Sequence, residues 1–321
     1  MDKNSRIFVA GHKGLVGSAI VRELNRRGYH NLVLRERAQL DLTRQRDVNC
    51  FFDEQRPEYV FLAAAKVGGI LANRDHPAEF IRDNLLIQLN VIDGAWRSGV
   101  KKLQFLGSSC IYPKLASQPI KEEYLLTGPL EATNQAYALA KITGIRMAEA
   151  YREQYGFGAI SLMPTNLYGP GDNFDLQSSH VIPALIRKFH EAKISVSPQA
   201  VIWGSGEPRR EFLHVDDLAG AAVYFMLHYD QPDIVNIGSG TDLTIRELAE
   251  LIAGIVGFPG RLVFDASKPD GTPRKLLDVS RAKAAGWQSR IPLDEGIRQT
   301  YRWFVESGAG EERSHTHSTT R

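Results

Sequence analysis

The sequence predicts an α/β protein: a Rossmann-type, doubly wound parallel sheet with a smaller, discontinuous C-terminal substrate domain. Short and almost wholly apolar segments alternate with helical patterns over the first half of the chain, which is typical of parallel sheets covered on both faces. The first apolar segment, residues 7–10, runs into a glycine turn and then a helix. A polar loop with glycine and proline at residues 165–175 marks where the chain leaves the sheet.

Length and composition narrow the class of protein. The 321 residues fit one large or two coupled domains, and 43% hydrophobic and 24% charged residues are typical of a soluble globular protein. A formal net charge of +2 argues against nucleic acid or a membrane surface as the main partner. Two cysteines, Cys50 and Cys110, do not suggest a disulfide framework, and the chain has neither a run of 18 apolar residues nor a signal peptide pattern. We therefore expect a cytoplasmic protein.

A glycine turn follows the first strand. Gly11, Gly14 and Gly17 are spaced three residues apart, and a helical pattern comes next. Such a backbone can turn tightly, approach a pyrophosphate and direct a helix N-terminus at the anion. The spacing is a variant of the G-x-G-x-x-G fingerprint, with a plain turn as the weaker alternative. The predicted dinucleotide contacts are Gly11, Lys13, Gly14, Leu15, Val16 and Gly17.

The residues after the second predicted strand select the dinucleotide. Many NAD sites carry an acid there that binds the ribose hydroxyls, whereas this chain has Arg35, Glu36 and Arg37. Cations at that point, together with Lys13, suit a ribose 2′-phosphate and predict NADPH. Glu36 keeps NAD as a weaker option, and solvated loop charges are the other alternative. The residues expected to flank the adenine are Asp41 and Leu42.

The next strands of the predicted sheet end in small or hydroxyl side chains. The strand at residues 59–65 finishes in alanines, which leave room for a cofactor, and the strand at residues 103–106 is followed by Ser108. Because ligands bind at the carboxyl ends of parallel strands, the Ser108 hydroxyl can bond a substrate oxygen; a strand-ending cap is the alternative. The helices predicted between these strands are at residues 45–54 and 84–96.

Tyr137 and Lys141 lie four residues apart in a helical pattern, so their side chains share one face about a turn apart. A phenol with an unperturbed pKa near ~10 is a poor proton donor at neutral pH, and a neighbouring ammonium lowers that pKa. The pair therefore predicts an acid and base for an oxygen on a carbon that exchanges hydride. Taken alone the spacing is a weak signal, and a core tyrosine beside a solvated lysine is the alternative.

The C-terminal half alternates short elements with charged loops. Arg209 and Arg210, placed beside a turn, could clamp a diphosphate bidentately, and Trp203 is either a ligand contact or a core residue. A capping box, Thr244 to Glu247, begins one helix. Helices are predicted at residues 180–192, 218–227, 244–256 and 293–304, and strands at residues 201–203 and 234–237.

These elements divide the chain into two predicted domains and a tail. Residues 1–168 form the NADP-binding domain, and residues 214–238 return to it. The substrate domain comprises residues 169–213 and 239–308. Residues 309–321 are polar and without periodicity, so we expect them to be disordered, with His315 and His317 solvated. No metal site is predicted.

The glycine turn, the serines after a later strand and the Tyr137–Lys141 pair, in that order, resemble the extended short-chain dehydrogenase/reductase family over about residues 6–305. Longer stretches resemble, within that family, the bifunctional epimerase/reductases of GDP-4-keto-6-deoxy sugars. These stretches are residues 63–70, 106–114, 163–170, 179–185 and 268–275. The resemblance implies an NADPH-dependent enzyme that epimerises C3 and C5 of a GDP-sugar and then reduces its C4 ketone.

The resemblance also implies which residues form the site. It makes Ser108, Tyr137 and Lys141 the reductive triad and assigns Cys110 and His180 to epimerisation. The residues implied near the cofactor's nicotinamide are Ala63, Ala64, Tyr137, Lys141, Pro164, Asn166, Leu167 and His180. Those implied to bind the GDP-sugar are Ser108, Ser109, Cys110, Lys188, Trp203, Arg210, Asp270 and Arg274. Related enzymes imply a homodimer formed through two helices of the nucleotide domain.

A thiol and an imidazole suit the inversion of a carbon next to a ketone. That reaction needs a base on one face and an acid on the other, and Cys110 and His180 titrate near enough to neutrality to exchange protons. The enolate oxygen would be held by the hydroxyl groups that later assist reduction. Without the resemblance, Cys110 would be interpreted as a small buried hydrophobe and His180 as a residue near a helix start capped by Ser178 or Ser179.

Three other functions stay open at this point. A UDP-sugar 4-epimerase would hold NAD and require an acid where Arg35 and Arg37 lie. A 4,6-dehydratase would carry an Asp-Glu pair where Ser109 and Cys110 stand. A non-enzymatic NADP sensor would have no need of the complete triad, which makes it the weakest of the three.

Overall fold

The computed structural model describes residues 1–176, 178–268 and 270–309, so the predictions for the tail, including His315 and His317, lie outside the described residues. The strands are β1 (Ile7–Ala10), β2 (Leu32–Val33), β3 (Tyr59–Leu62), β4 (Lys102–Leu106), β5 (Ala159–Pro164), β6 (Asn166–Tyr168), β7 (Gln199–Trp203), β8 (Arg209–His214), β9 (Val235–Ile237), β10 (Asp242–Thr244), β11 (Arg261–Asp265) and β12 (Arg274–Lys275). The helices are α1 (Leu15–Arg26), α2 (Gln45–Gln55), α3 (Ile70–Asp75), α4 (Pro77–Arg97), α5 (Gln135–Tyr155), α6 (Val181–Ile194), α7 (Val215–His228), α8 (Ile245–Val256), α9 (Ser280–Ala284) and α10 (Leu293–Glu306).

A six-stranded parallel sheet forms the centre of the molecule, in the order β2-β1-β3-β4-β5-β9. The strand order reverses between β1 and β3, which creates a crevice at the carboxyl ends of the strands. The prediction of a doubly wound parallel sheet is therefore confirmed, and the pairing of β9 with β5 brings the second half of the chain back to this sheet.

Helices cover both faces of this sheet. On one face α1 packs against α7, with Ile20, Leu24 and Phe225 fully buried. On the other face α4 packs against α2 and α5, with Val91 and Ile145 fully buried. Each such side chain contributes roughly 1.5–3 kcal/mol when it leaves water. The double covering explains why the strands read as continuous apolar runs rather than as alternating ones.

A smaller unit is built around β8, which pairs with β6, β10 and β12, while β7 and β11 form a separate ribbon. Its core contains Phe189 of α6, Ile252 of α8 and Phe304 of α10. The capping box at the start of α8 is confirmed: the Glu247 amide donates to the Thr244 hydroxyl (3.0 Å), and the Glu247 carboxylate accepts from the Thr244 amide (2.7 Å).

The structure corrects the expectations for three individual elements. Helix α4 begins at Pro77, seven residues before the predicted start, because proline at the first helical position is compatible with helix entry. The N-cap residue of α6 is His180, and neither Ser178 nor Ser179 caps it, so that prediction is wrong. Residues 274–275 form strand β12, which the sequence analysis does not predict, since pairing with β8 is a long-range contact that a local pattern does not report.

His214 caps α7 from inside the protein. Its Nδ1 accepts a hydrogen bond from the Asp216 amide (3.2 Å), and the ring is 1% exposed. Burial lowers the pKa of His214 below its ordinary value, although the charges of Asp216 and Asp217 act in the opposite direction. The folded protein therefore holds this imidazole neutral at neutral pH.

None of the described helices is long and apolar enough to cross a bilayer.

We expect the free energy of unfolding to fall as the pH drops below about 6.5, because the unfolded chain then binds a proton that folded His214 does not bind. His214→Asn keeps an N-cap acceptor and removes the titrating ring. This variant should lose less stability than the wild type between about pH 7.5 and about pH 5.5 in urea unfolding. His12 and His180 also have lowered pKa values, so some dependence will persist. An equal or steeper loss in His214→Asn would contradict the assignment.

Candidate functional site

The glycine turn lies at the carboxyl edge of the sheet, between β1 and α1. Gly11 has a φ of +83°, and a Cβ on it would come within 2.8 Å of the Ala64 Cα. A Cβ on Gly17 would lie 2.1 Å from the Gly11 carbonyl oxygen. Both positions therefore require glycine. Helix α1 begins at Leu15 with Gly14 as its N-cap residue and no acid in its first turn, so its free N–H groups remain available to an anion.

Charged side chains surround the loop after β2. The Lys13 ammonium pairs with the Glu36 carboxylate at 2.5 Å, and both groups are exposed. Hydrogen bonding to Lys13 and its charge lower the pKa of Glu36. A carboxylate already engaged by a cation is a poorer acceptor for ribose hydroxyls, which weakens the NAD alternative. Arg35 donates only to the neighbouring Leu34 carbonyl (3.0 Å) among the hydrogen bonds of the described chain.

The residues expected near the adenine lie in the following turn. Hydrogen bonds from the Thr43 hydroxyl and amide lower the pKa of Asp41, and the charge of Arg37 adds to that effect. The Leu42 carbonyl accepts a hydrogen bond from Asn90 Nδ2 (2.9 Å), which ties the turn to α4. The structure thus brings Arg37 and Asp41 close to each other at the end of β2.

The residues expected near the nicotinamide follow β3, β5 and β6. Ala63 donates its N–H to a carbonyl of β1 (3.1 Å), which keeps the chain after β3 close to the glycine turn. Pro164 ends β5 beside β9. Asn166 Nδ2 donates to the Glu211 carbonyl (2.8 Å), and Leu167 packs against the core that α1 shares. The residues packed beside Leu167 against that core include Leu15 and Val16.

The turn after β4 carries a hydroxyl and a thiol. Ser108 Oγ accepts a hydrogen bond from the Cys110 amide (3.4 Å) and lies beside the Cys110 thiol. Ser109 and Cys110 are buried, whereas Ser108 is half-buried. Burial raises the pKa of the thiol, against the nearby charges of Lys275 and Lys141. Cys110 is therefore protonated at neutral pH.

Tyr137 and Lys141 lie one turn apart on α5. Lys141 Nζ is 5.8 Å from the centroid of the Tyr137 ring and donates a hydrogen bond to the Leu106 carbonyl (2.8 Å). Phe80 packs edge-on against the phenol ring, with the centroids 6.4 Å apart. Cys110 lies within electrostatic reach of both groups. The end of β4 and one face of α5 thus gather a hydroxyl, a thiol, a phenol and an ammonium.

The pKa of the Tyr137 phenol moves in the direction opposite to the expectation. Burial raises it, and charge on Cys110 would raise it further. Burial also lowers the pKa of Lys141 to about 8, and its ammonium bonds the Leu106 carbonyl. The prediction that Lys141 lowers the pKa of Tyr137 is therefore wrong for this structure, because residue spacing carries no information about burial. The phenol keeps its proton at neutral pH and is placed to donate it.

Lys275 of β12 lies within electrostatic reach of both Cys110 and His180. Its charge acts on the Cys110 thiol, on the His180 imidazole and on the Arg210 guanidinium, and burial lowers its own pKa. His180 is accessible to solvent, yet the protein atoms around it lower its pKa, and Lys275 contributes to that. The imidazole is therefore neutral at neutral pH. Thiol and imidazole are thus both uncharged, with a cation within electrostatic reach of each.

Trp203 ends β7 and is 53% exposed, which excludes a core position. Lys188 Nζ lies 5.3 Å from the centroid of its ring and also donates to the Val201 carbonyl (3.2 Å). Lys268 Nζ lies 5.6 Å from the same centroid. A cavity of about 440 Å³ opens beside Trp203 and Lys188. An exposed ring with cations beside it suits an aromatic base that carries phosphates.

Arg210 lies in β8, and Asp270 lies near it. Burial lowers the pKa of Arg210, and the charge of Asp270 opposes that effect. Asp270 accepts hydrogen bonds from the Ser205 amide (2.7 Å) and hydroxyl (2.8 Å). Gly204 has a φ of +89°, and a Cβ there would lie 2.5 Å from Asp270 Oδ1. The turn after β7 therefore fixes the carboxylate near the guanidinium.

The structure separates Arg209 and Arg274 from this group. Consecutive strand residues point to opposite faces, so Arg209 cannot act with Arg210 as one clamp. Asp242 binds both of the separated guanidiniums, Arg209 Nε at 3.1 Å and Arg274 Nε at 2.5 Å. The expected two-arginine clamp is therefore wrong, and the side chain of β12 that neighbours Arg210 is Lys275.

Lys275, Glu211 and Phe80 are parts of this region that the sequence analysis does not assign to the site. Lys275 lies in one of the stretches that carry the family resemblance, and that was the available signal. Its position became apparent only from the register of β12, in which Lys275 pairs with Arg210. Phe80 and Glu211 read as ordinary helix and strand residues, and no local pattern marks them.

The side chains of this site can donate protons to an oxygen, exchange protons at a carbon and bind an anion. A protonated phenol and a hydroxyl can donate to an oxygen that gains charge, as reduction of a ketone requires. A thiol and an imidazole that are both neutral can exchange protons at a carbon next to that ketone. The cations of Lys188, Arg210 and Lys275 and the exposed indole of Trp203 are available to an anionic ligand that bears an aromatic base.

Comparisons with known proteins agree with this geometry. Residues 7–238 match the NAD dependent epimerase/dehydratase family. A probable GDP-L-fucose synthase 1 from Oryza sativa subsp. japonica is 61% identical over 307 residues, which cover 95% of this chain and 94% of that protein. A GDP-L-fucose synthase from Escherichia coli strain K12 is 56% identical over 311 residues, covering 94% and 97%. The solved structure of a GDP-L-fucose synthetase from Naegleria fowleri bound to NADP superposes with a TM-score of 0.89 at 29% identity, covering 96% of each chain.

Proposed function

The chain belongs to the NAD dependent epimerase/dehydratase family, and on that premise we propose that it converts GDP-4-keto-6-deoxy-D-mannose into GDP-L-fucose with NADPH. The reaction is 3,5-epimerisation followed by reduction of the C4 ketone. Cys110 carries the proposal, since the turn at residues 109–111 that holds this thiol packs directly on α5, the helix of Tyr137 and Lys141. A reductase that did not epimerise would have no need of a second proton-exchanging group beside its phenol.

In the reduction, Tyr137 donates its proton to the C4 oxygen, and Ser108 donates a hydrogen bond to that oxygen. NADPH, when bound, supplies the hydride that reaches C4. Lys141 is fixed by the Leu106 carbonyl at 2.8 Å and holds a positive charge beside the phenolate that forms. Because the phenol is protonated before the reaction, it needs no prior proton uptake.

In the epimerisation, Cys110 and His180 remove and return protons at C3 and C5, one group serving as acid and the other as base. Both start neutral, so each inversion leaves the pair with the same total number of protons. Ser108 and Tyr137 stabilise the enolate oxygen by hydrogen bonding. The Lys275 cation favours charge on the thiol and opposes charge on the imidazole.

The GDP portion is held by the smaller unit. Arg210 and Lys188 neutralise the diphosphate, Trp203 stacks on the guanine, and Asp270 orients Arg210. Ser109 and Cys110 line the sugar end. Arg274 has no part in this proposal, because its guanidinium is engaged by Asp242.

The residues around the glycine turn fit NADPH. Gly11 packs against Ala64, and Gly17 packs against the Gly11 carbonyl, so closely that a Cβ at either position would clash with the backbone. This packing holds the N-terminus of α1 where it can receive a pyrophosphate. Lys13, Arg35 and Arg37 bind the ribose 2′-phosphate, while Asp41 and Leu42 flank the adenine. Ala63, Pro164, Asn166 and Leu167 surround the nicotinamide end.

Arg37→Ala should reduce the preference for NADPH over NADH by about 10- to 100-fold, the effect of losing one charge-assisted hydrogen bond. The measurement is the ratio of kcat/KM values for the two cofactors. Arg26→Ala, which breaks the surface pair between Arg26 and Glu23 (2.7 Å), is the matched control and should leave the ratio unchanged. Unchanged discrimination in Arg37→Ala would rule out its contact with the 2′-phosphate.

The proposed function is tested by mixing the protein with NADPH and GDP-4-keto-6-deoxy-D-mannose and following the loss of absorbance of the reduced cofactor. We expect stoichiometric oxidation and GDP-L-fucose as product. GDP-mannose, which has no ketone, should cause no oxidation. A 4-epimerase or a 4,6-dehydratase would give no net oxidation, and a sensor would bind NADPH without turnover, so absence of oxidation would sink the proposal.

We also propose a homodimer through α4 and α5. These helices pack together and expose apolar side chains: Leu89 is 47%, Leu139 40% and Tyr155 46% exposed, and Tyr155 stacks on Trp96 with centroids 4.2 Å apart. An apolar patch of this kind is typical of an interface. Sedimentation equilibrium will distinguish a dimer from a monomer. Both cysteines, Cys50 and Cys110, are free thiols, as is usual for proteins of a reducing compartment, which supports the proposed cytoplasmic location.

A further inference from the structure

Glu211 is a fully buried carboxylate to which the reaction described above assigns no task. It is 0% exposed, and its oxygens accept hydrogen bonds from the Gly240 amide (2.7 Å) and the Leu277 amide (3.0 Å). The Ser239 hydroxyl lies 3.5 Å away. Within residues 1–176, 178–268 and 270–309, no lysine, arginine or histidine forms an ion pair with it. Burial raises the pKa of Glu211, and the hydrogen bonds from the Leu277 and Gly240 amides act in the opposite direction, so these backbone N–H groups are what stabilises its charged form in place of water.

The main chain of Glu211 makes a second set of contacts. Its carbonyl accepts hydrogen bonds from Asn166 Nδ2 (2.8 Å) and from the Thr165 hydroxyl (3.3 Å). One residue of β8 therefore joins the β5–β6 connection, the loop after β9 and the segment after β12. Gly238 reinforces this packing, since a Cβ there would lie 2.3 Å from Glu211 Oε1, and only glycine allows so close an approach.

The neighbours of Glu211 include Arg210 and Lys275, two of the cations of the candidate site described above. Arg210 precedes it in β8 and points to the opposite face of the strand. Lys275 pairs with Arg210 across β8 and β12 and lies two residues before Leu277, whose amide is bonded to Glu211. The buried face of β8 is thus held by the hydrogen bonds of Glu211, next to Arg210, whose side chain lies on the opposite face.

We infer that Glu211 is a positioning residue for the GDP-sugar: it fixes β8 against β12 so that Arg210 and Lys275 face the cleft together. The identity of the nucleotide in this inference rests on the proposed function. Loss of the carboxylate will release the segment after β12 and weaken binding of the diphosphate, while the glycine turn and the sites after β2 are untouched.

Glu211→Gln supplies the test, because an amide NH₂ cannot accept a hydrogen bond from a backbone N–H. We expect the Kd for GDP to rise about 10-fold or more and the Kd for NADP⁺ to stay within about twofold, both by calorimetry. Asp217→Asn is the matched control. Asp217 is another buried carboxylate, and its Oδ2 accepts hydrogen bonds from both the Arg290 amide (3.0 Å) and the Ile291 amide (2.8 Å). An asparagine oxygen can keep both bonds, so this variant removes a buried acid only and should leave the ratio of the two affinities unchanged.

A second measurement uses the wild type, so that a variant that fails to fold does not end the test. Addition of GDP should slow hydrogen exchange at the Gly240 and Leu277 amides, and addition of NADP⁺ alone should not. Equal effects of the two ligands, or a parallel rise of both Kd values in Glu211→Gln, would overturn the positioning role. If the wild type binds GDP but does not turn over the 4-keto sugar, the proposed function fails and this inference stands. Absence of GDP binding by the wild type would overturn both.

Discussion

Replacing Tyr137 with phenylalanine will lower kcat for NADPH-dependent reduction by about 10²- to 10⁴-fold, the usual contribution of a positioned general acid. The phenol is protonated because burial raises its pKa, and phenylalanine keeps the packing against Phe80 while it removes the proton that the C4 oxygen requires. Single-turnover oxidation of NADPH with the GDP-4-keto sugar measures the effect.

Tyr151→Phe is the matched control for that variant. Tyr151 lies on the same helix, α5, and its hydroxyl donates to Asp93 Oδ1 (2.9 Å) away from the cleft. Its removal should leave kcat within about twofold. Exchange of the C3 and C5 hydrogens with solvent deuterium should persist in Tyr137→Phe, since Cys110 and His180 remain. If Tyr137→Phe lost that exchange and still reduced the ketone, the assignment of roles would be wrong.

Cys110→Ser will slow exchange of the C3 and C5 hydrogens with deuterium by about 10²- to 10⁴-fold, because a hydroxyl is a far weaker acid than a thiol and is a poor proton donor to the enolate carbon. Serine is nearly isosteric, so the turn that holds Ser108 is retained. The measurement is deuterium incorporation by mass spectrometry of the GDP-sugar in the absence of NADPH.

Cys50→Ser is the matched control, because Cys50 is the exposed cysteine on α2 and lies away from β4. It should exchange at the wild-type rate. Reduction of a 4-keto sugar that is already epimerised should survive in Cys110→Ser, which separates the two half-reactions. Normal exchange in Cys110→Ser would remove the thiol from the epimerisation.

The central sheet could be predicted because each of its signals is local. The apolar run of β1, the glycines that follow it and the four-residue spacing of Tyr137 and Lys141 depend on neighbouring residues only. The parallel arrangement of the strands followed from the alternation of strands and helices. The capping box that begins at Thr244 could likewise be predicted from four consecutive residues.

The electrostatics of the site could not be predicted from the same patterns. Burial sets the direction of the pKa shifts of Tyr137 and Cys110, and burial depends on elements far along the chain. The choice of Lys275 over Arg274 as the cation of the cleft depends on the strand register of β12, since a shift of one residue exchanges the two side chains between faces. The spacing of residues in the sequence gives neither the burial of a side chain nor the register of a strand.

The parallel pairing of β12 with β8 affects how the protein matures during translation. All six strands of the central sheet have been synthesised once β9 is complete, whereas the lysine near Cys110 belongs to a strand made later. Domains fold as units as they emerge during synthesis. A nascent chain can accordingly acquire the dinucleotide pocket first and complete the sugar pocket only near its carboxyl end, so premature termination beyond β9 would leave a protein that retains cofactor without transforming substrate.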